Sequence, residues 1–322
     1  MRTHKTFLIL LLGLGLLLAA CKPAGALQPV TLNLTYIPNV QFAPMYVGVE
    51  KGFFAEVGLD VSFIYGNEAD MLAMIGAGQE QFMIASGEQV LLSRAQGMPV
   101  VNVLEWYKDY PVAVAAPEST PLASPADLAG LSIGLPGTYG ANYIGFEALA
   151  KAAGLTDKDY KLESIGFTQV EALVSGQVDA VVVYIANEPV QLQARGYPVN
   201  LLRVSDHLAL VGNGLVTNQQ TIDKDPELVR KITDAFLKAM RYTAENPDEA
   251  FQICTQYVDN LTGDQAEVQK QVLLESIKLW QLAGYSEKSA ESWENMQNLL
   301  MDLGMLANPV VVEEAYTHEF VR

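Results

Sequence analysis

The chain has 322 residues, half of them hydrophobic, and a formal net charge of −17 at pH 7. This length exceeds what one simple hydrophobic core serves, and it predicts two lobes. Such an acidic balance argues against nucleic acid as a partner, because binding to phosphates needs clustered Lys and Arg.

Residues 1–20 predict an export signal rather than a part of the fold. Arg2 and Lys5 form a positive head, an apolar run follows, and small residues precede Cys21. The run is too short for a membrane-spanning helix, and a cysteine at this position is typical of a bacterial lipobox, in which the thiol is acylated. The alternative is an ordinary cleaved signal followed by a chance cysteine. We expect lipidation of Cys21 and a flexible tether over 21–29.

From residue 30 onward the hydrophobic pattern predicts strands that alternate with helices, which is typical of crossover units on a largely parallel sheet and of an α/β fold. A Pro- and Ser-rich stretch at 117–125 interrupts the rhythm, which resumes at Ile133. After Asp223 the pattern is almost entirely helical, with a helix start at Asp225-Pro-Glu. The elements predicted before the interruption are strand 30–36, helix 44–54, strand 60–65, helix 69–77, strand 81–85, helix 88–96 and strand 100–105.

Two segments of the chain repeat one pattern. Residues 72–90 and 172–190 each contain a helix that ends in Gly-Gln, a short buried strand, and a polar loop whose glutamate opens another helix. The repeat predicts two α/β lobes of similar construction; chance similarity of two helix–strand units is the alternative. Ligands of open α/β sheets lie beyond the carboxyl ends of the strands. Facing lobes would therefore bring the loops at 86–88 and 184–188 to one cleft.

Two runs of residues carry a resemblance to a known family. Tyr36 begins a segment that continues to Glu50-Lys-Gly-Phe-Phe-Ala-Glu-Val-Gly-Leu-Asp-Val, and the second run is Ser132-Ile-Gly-Leu-Pro-Gly-Thr-Tyr-Gly-Ala-Asn-Tyr. The first resembles the opening of the ABC-importer binding proteins that include the thiamine-pyrimidine, alkanesulfonate and riboflavin binders. The second is similar to the glycine-rich ligand loop of that family. The resemblance covers the chain to about residue 220.

The resemblance implies a type II periplasmic-binding-protein fold, in which two α/β lobes joined by two crossing segments close on a ligand. The crossings would be 110–116 and 208–217, and a helical tail would rejoin the first lobe. The resemblance also implies an ABC permease and its ATPase as partners, and a monomer anchored by lipid on the extracytoplasmic face of the cell membrane. The implied boundaries are 30–112 with 215–322 for lobe I, and 113–214 for lobe II.

The sequence contains no signature of catalysis or of a metal site. His207 and His318 complete no metal motif, and we find no nucleophile or phosphate-binding motif. Cys254 lies in an apolar stretch, which indicates a buried structural thiol. Fungal pyrimidine synthases of the same fold carry a cysteine-rich motif and a cofactor lysine, and this sequence lacks such a motif. We therefore expect a binding protein without a cofactor, with a pyrimidine-synthesis enzyme as the alternative from another class.

Six candidate pocket loops contain nine Tyr, Trp and Phe residues but one cationic side chain, Lys108. A sulfonate, nitrate or phosphate ligand calls for arginine or a cluster of donors. The aromatic content suits a flat, uncharged heterocycle instead. We predict riboflavin as the ligand, with a thiamine-precursor pyrimidine (formylaminopyrimidine) as the alternative. The loops are 36–42, 65–70, 86–89, 106–110, 137–143 and 184–188.

The predicted ligand-binding residues are polar and aromatic side chains of these loops. Core packing is the alternative for each aromatic ring, and stabilisation of a helix N-terminus is the alternative for the two glutamates. The predicted residues are Asn39, Gln41, Tyr65, Ser86, Gly87, Glu88, Tyr107, Thr138, Tyr139, Asn142, Tyr184, Asn187 and Glu188.

Overall fold

A computed structural model describes residues 26–280 and 289–321 of the chain. The predicted signal peptide and Cys21 lie outside the described residues, so export and acylation stay predictions. Within the described part of the chain, no helix combines the length and the apolar character that crossing a bilayer requires.

Strands and helices alternate through the first two thirds of the chain, as the sequence predicts. The first elements are β1 (Gln28–Thr35), α1 (Ala43–Glu50), α2 (Phe53–Glu56), β2 (Leu59–Gly66), α3 (Glu68–Gly76), β3 (Phe82–Ser86), α4 (Gly87–Ala95) and β4 (Val100–Glu105). The next are β5 (Val112–Pro117), β6 (Ser132–Leu135), α5 (Gly140–Ala152), β7 (Lys161–Ser164), α6 (Gln169–Val174), β8 (Ala180–Tyr184), α7 (Glu188–Ala194) and β9 (Val199–Arg203). The last are β10 (Asn213–Asn218), α8 (Gln219–Lys224), α9 (Pro226–Glu245), α10 (Pro247–Cys254), α11 (Gly263–Trp280) and α12 (Ser289–Asp302).

The helix predicted over 44–54 is interrupted. The structure contains α1 and α2 instead, separated by Lys51 and Gly52. Gly52 adopts a φ of 72°, a left-handed conformation that glycine reaches without the steric cost of a Cβ. The turn allows α2 to bury Phe53 and Phe54 in the core of the first lobe.

Two five-stranded sheets with equivalent strand orders form the two lobes. The first has the order β2-β1-β3-β10-β4 and the second the order β7-β6-β8-β5-β9. In each sheet the fourth strand, β10 or β5, runs antiparallel to both of its neighbours. The repeat seen in the sequence maps onto equivalent elements, because α3, β3 and α4 correspond to α6, β8 and α7. Its glycines, Gly78 and Gly176, both adopt a left-handed φ, of 70° and 69°. The predicted two-lobed α/β architecture is confirmed.

Two segments join the lobes, one at 106–111 between β4 and β5, and one at 207–212 before β10. The crossings predicted at 110–116 and 208–217 thus each include the first residues of a strand. The lobe boundaries implied by the family resemblance stay a prediction.

The C-terminal helices pack mainly on the first lobe. Asp225 caps α9 as predicted, because its side chain accepts a hydrogen bond from the N–H of Leu228 at 3.1 Å. Leu228, Ile232 and Phe236 follow at helical spacing and are buried in the core of the first lobe. In α12, Trp293 is buried in a second core that both lobes share.

Candidate functional site

A cavity of about 680 Å³ lies between the two lobes. The first lobe lines it with residues at or after the carboxyl ends of β1, β2, β3 and β4, and the second lobe with residues after β6, β7 and β8. Strand β10 runs antiparallel to its neighbours, so its first residue, Asn213, reaches the same edge. The cavity occupies the position expected for the ligand of an open α/β sheet.

The described wall of this cavity is aromatic and rich in amides. It contains two acidic residues, Glu68 and Glu188, and no Lys, Arg or His. Lys108, the one cation of the predicted loops, is exposed and is not part of this wall. Such a wall suits a flat, neutral ligand with polar edges. Its aromatic residues are Tyr36, Phe42, Trp106, Tyr107, Tyr139, Phe167 and Tyr184, and its amide residues are Asn39, Gln41, Asn67, Gln89, Asn142, Gln169, Asn187 and Asn213.

The structure brings eight of the predicted ligand-binding residues to the wall and leaves five off it. That any of the thirteen contacts a ligand stays a prediction. Those on the wall are Asn39, Gln41, Tyr107, Tyr139, Asn142, Tyr184, Asn187 and Glu188. Those off the wall are Tyr65, Ser86, Gly87, Glu88 and Thr138.

Other side chains engage two of the five residues that lie off the wall. The hydroxyl of Tyr65 lies 2.9 Å from the hydroxyl of Tyr46. The N–H and the hydroxyl of Ser86 both donate to one oxygen of Glu68, at 2.6 and 2.8 Å. Ser86 therefore positions a residue of the wall without being part of it. Thr138 is exposed to solvent.

Gly87 lies where the second crossing segment touches the first lobe. Its N–H donates to the carbonyl of Gly212 at 3.1 Å. A Cβ at this position would lie 2.1 Å from Cγ1 of Val211, which is closer than packed carbon atoms approach. The close approach of the crossing segment, rather than a ligand, accounts for the glycine.

We expect Gly87→Ala to lower the free energy of unfolding by about 1–3 kcal/mol, the usual cost of forcing extra atoms into a packed site. Val211→Ala removes the atoms that the new methyl group meets. Gly87→Ala should therefore cost less in a Val211→Ala background than in the parent chain. Urea unfolding of the four chains measures both costs, and equal costs would contradict the contact.

Hydrogen bonds within the protein orient several polar residues of the wall. Nδ2 of Asn142 donates to the carbonyl of Val182 at 2.9 Å, which ties α5 to β8. The carboxyl of Glu188 accepts from the N–H of Tyr184 at 2.9 Å and from Nδ2 of Asn187 at 3.1 Å. These bonds hold the loop after β8, so three of its side chains line the cavity in a preorganised arrangement.

Two residues of the wall carry buried polar atoms that make no hydrogen bond in the structure, Nε1 of Trp106 and Oδ1 of Asn213. The residues are neighbours, because the backbone N–H of Trp106 donates to the carbonyl of Asn213 at 2.9 Å. A buried polar atom without a partner is costly. Each of these atoms has less than 1 Å² of accessible surface, so neither is exposed to the cavity in this structure.

Burial raises the pKa of the acidic residues around the cavity. It raises the pKa of Glu188 to about 7. It also raises the pKa of Glu68, although the bonds from Ser86 act in the opposite direction. Behind the wall, burial and then the charge of Glu68 raise the pKa of Glu88 to about 8. Burial therefore disfavours negative charge in this region, and an anionic ligand would bring a further negative charge into it.

Phe167, Gln169 and Asn213 line the cavity but lie outside the predicted loops. The segments 72–90 and 172–190 are offset by 100 residues, and the same offset maps the predicted loop 65–70 onto 165–170, which contains the first two. The structure agrees, because β7 is the equivalent of β2. Asn213 has no such signal, because its position depends on the antiparallel course of β10.

The model of the NMT1/THI5-like family matches residues 39–250. The riboflavin-binding protein RibY of Chloroflexus aurantiacus is 38% identical over 303 residues, which cover 92% of this chain and 86% of the relative. A formylaminopyrimidine-binding protein of Halalkalibacterium halodurans is 30% identical over 330 residues, covering 97% and 98%. A 4-amino-5-hydroxymethyl-2-methylpyrimidine phosphate synthase of Legionella pneumophila is 26% identical over 233 residues, covering 70% and 73%.

Among solved structures, the chain is similar to the periplasmic aliphatic sulphonate-binding protein SsuA of Escherichia coli. The TM-score is 0.73 at 13% sequence identity, and the match covers 89% of this chain and 91% of that protein. A likeness at this identity concerns the fold alone. It extends over nearly the whole chain and confirms the predicted periplasmic-binding-protein fold.

Proposed function

The chain belongs to the NMT1/THI5-like family, and we propose that it is the extracytoplasmic substrate-binding component of an ABC importer for riboflavin. In this role the two lobes close on the vitamin and deliver it to a permease driven by an ATPase. The proposal includes acylation of Cys21 as the membrane anchor, a monomeric protein, and no catalytic activity. The likeness to a riboflavin-binding relative over 92% of the chain supports it.

The observation that carries the proposal is the wall of the cavity, which combines aromatic rings and amides with no described cation. The isoalloxazine system of riboflavin is flat and uncharged, with carbonyl, nitrogen and N–H groups along its edge. Rings such as Tyr139 and Tyr184, which line the cavity, provide apolar surfaces for stacking. The amides and Glu188 provide donors and acceptors for the ring edge and for the ribityl hydroxyls.

The size of the cavity favours riboflavin over a pyrimidine. At about 680 Å³ it lies in the middle of the roughly 300–1,000 Å³ range of pockets for drug-sized ligands. A single-ring pyrimidine is far smaller than a three-ring flavin with its ribityl chain, and it would leave much of the wall without contact. Formylaminopyrimidine stays the alternative, because a binder of that compound is also similar to this chain.

The same wall argues against an anionic ligand, although the fold resembles that of sulphonate-binding proteins. A sulfonate needs arginine or a cluster of donors to replace its hydration. Here the described charged groups of the wall are the carboxyls of Glu68 and Glu188.

An enzymatic role is the alternative from another class, because a pyrimidine phosphate synthase is also related to this chain. The described wall contains no lysine that would hold a cofactor as an imine. Cys254 is buried in the core of the first lobe, and burial raises the pKa of its thiol to about 12, so it is not a reactive group. These observations favour binding over catalysis.

The experiment that tests the proposal is a fluorescence titration of riboflavin with the purified protein. We expect quenching with sub-micromolar affinity, because stacked aromatic rings quench the isoalloxazine. Formylaminopyrimidine and the sulfonate taurine are titrated by calorimetry as comparison ligands. Tight binding of formylaminopyrimidine without any quenching of riboflavin would indicate a binding protein for the thiamine-precursor pyrimidine instead.

A further inference from the structure

Tyr36 has an unusual backbone conformation for its residue type. Its φ is 74°, in the left-handed region. This conformation brings Cβ close to the following carbonyl and is unfavourable for a large aromatic residue. Such strain persists only where surrounding contacts hold it, and it concentrates at ligand clamps and switch regions.

A ring of the second lobe contacts Tyr36. The ring centroids of Tyr36 and Phe167 are 4.9 Å apart and their planes form an angle of 61°, an edge-to-face pair. Tyr36 follows β1 and Phe167 lies between β7 and α6, so the pair joins the two lobes. Both residues line the cavity, yet they are 37% and 62% exposed. The pair is therefore a bridge at the solvent side of the cavity rather than a part of either core.

Hydrogen bonds fix the loop of each ring to its own lobe. The N–H of Tyr36 donates to the carbonyl of Gly66 at 3.3 Å. On the other side, the N–H of Ile165 donates to the carbonyl of Leu135 at 2.9 Å. The hydroxyl of Thr168 donates to the carbonyl of Ile165 at 2.7 Å. Because both loops are anchored, separation of the rings is coupled to separation of the lobes.

The bridge is remote from the crossing segments. The crossings join β4 to β5 and β9 to β10, and these strands form one half of each sheet. Tyr36 and Phe167 follow β1 and β7, which belong to the opposite halves. A rotation about the crossings moves distant atoms farthest, so this contact breaks at a small opening angle.

Glu188 of the second lobe also acts on Tyr36. Burial raises the pKa of the Tyr36 phenol, and the negative charge of Glu188 raises it further. Glu188 therefore lies close enough to Tyr36 to oppose ionisation of its phenol, and Phe167 is the residue of the opposite lobe that contacts its ring.

We propose that Tyr36 and Phe167 form a latch that holds the two lobes closed and so sets the rate at which the bound ligand leaves. The identity of that ligand rests on the proposed function. The backbone strain at Tyr36 offsets part of the favourable free energy of the ring contact, so the latch favours the closed state but still allows the lobes to open.

The first test measures the dissociation rate of riboflavin by stopped-flow fluorescence. Phe167→Ala removes the ring on the unstrained side and should raise the rate about two- to tenfold, as expected for an aromatic pair. Phe167→Tyr keeps an aromatic ring and should release riboflavin more slowly than Phe167→Ala. Val174→Ala, which truncates another exposed apolar residue of the second lobe, is the matched control and should leave the rate unchanged.

The second test needs no ligand. Spin labels on cysteines placed at Asp234 in α9 and at Lys158 in the second lobe, both exposed, report the distance between the lobes. Cys21 is replaced by Ser in all labelled chains, and Cys254 is buried and will not react with the label. Phe167→Ala should reduce the ratio of closed to open populations in the distance distribution about two- to tenfold, whereas Val174→Ala should leave it unchanged.

The two tests separate the latch from the proposed function. If riboflavin does not bind the wild-type chain, the proposed function fails, and the distance distribution still decides on the latch. If Phe167→Ala speeds dissociation but leaves the distance distribution unchanged, Phe167 acts on the ligand alone and the latch is wrong. An unchanged rate together with an unchanged distribution also overturns it.

Discussion

Glu88→Gln will raise the free energy of unfolding at about pH 9 by on the order of a few kcal/mol and leave it almost unchanged at about pH 4. Glu88 is fully buried, and neither of its oxygens makes a well-aligned hydrogen bond, although Ser86 and Tyr110 lie close enough to lower its pKa slightly. Burial and then the charge of Glu68 raise its pKa from 4.5 to about 8. Between these two values the folded chain holds a proton that the unfolded chain has lost, so stability is lost as the pH rises through this window. The neutral amide has no proton to lose.

Urea unfolding at three pH values measures this effect. Glu245→Gln, at an exposed position in α9, is the matched control and should change stability equally little at each pH. The titratable neighbours that act on Glu88 are Glu68 and Tyr110, and the Tyr110 hydroxyl donates to the carbonyl of Ala141 at 3.0 Å. If Glu88→Gln were less stable than the parent at about pH 9, the ionised carboxyl would have to be bonded in the folded state.

Glu188→Gln will weaken riboflavin binding by roughly 10- to 100-fold, the usual range for a hydrogen bond to a charged group. Its carboxyl lies on the cavity wall beside Tyr184 and Asn187, where it accepts two hydrogen bonds from the protein. An ionised carboxyl of Glu188 can also accept a hydrogen bond from a ring N–H of the ligand. In Glu188→Gln one of the two acceptor oxygens becomes an NH2 group, which donates and cannot accept that bond. Because burial raises the pKa of Glu188 to about 7, wild-type affinity should increase as the pH rises from about 6 to about 8.

Fluorescence titration across that pH range tests both parts of the prediction. The affinity of Glu188→Gln should vary less with pH than that of the wild type, since the titrating group is gone. Glu118→Gln is the matched control, because Glu118 is an exposed acid of the second lobe that is not on the wall. A wild-type affinity that does not change with pH would argue that Glu188 does not contact the ligand.

Local patterns in the sequence predict most of the fold. The strand predicted at 100–105 coincides with β4, and the helix predicted at 88–96 differs from α4 by one residue at each end. These elements are short buried or amphipathic runs bounded by Gly or Pro, so their limits depend on nearby residues. The repeat between 72–90 and 172–190 predicts the equivalence of the lobes for the same reason, since helix, turn and strand are all local.

The parts of the site that the sequence does not predict depend on residues far apart in the chain. Glu88 stands in the first turn of a helix, where a glutamate is ordinarily exposed and favours the helix N-terminus. It is buried because the crossing segments cover this turn, with Tyr110 close to Glu88 and Val211 against Gly87. No local pattern contains that packing.

The strand order also has a consequence for synthesis and for the proposed export. Every strand of the second sheet lies within 112–203, whereas the first sheet receives its fourth strand, β10, from 213–218. A ribosome or translocation channel therefore releases all strands of the second lobe before the first sheet can be completed. The first sheet stays incomplete until β10 inserts between β3 and β4. The lobe nearest the predicted leader therefore completes its folding last.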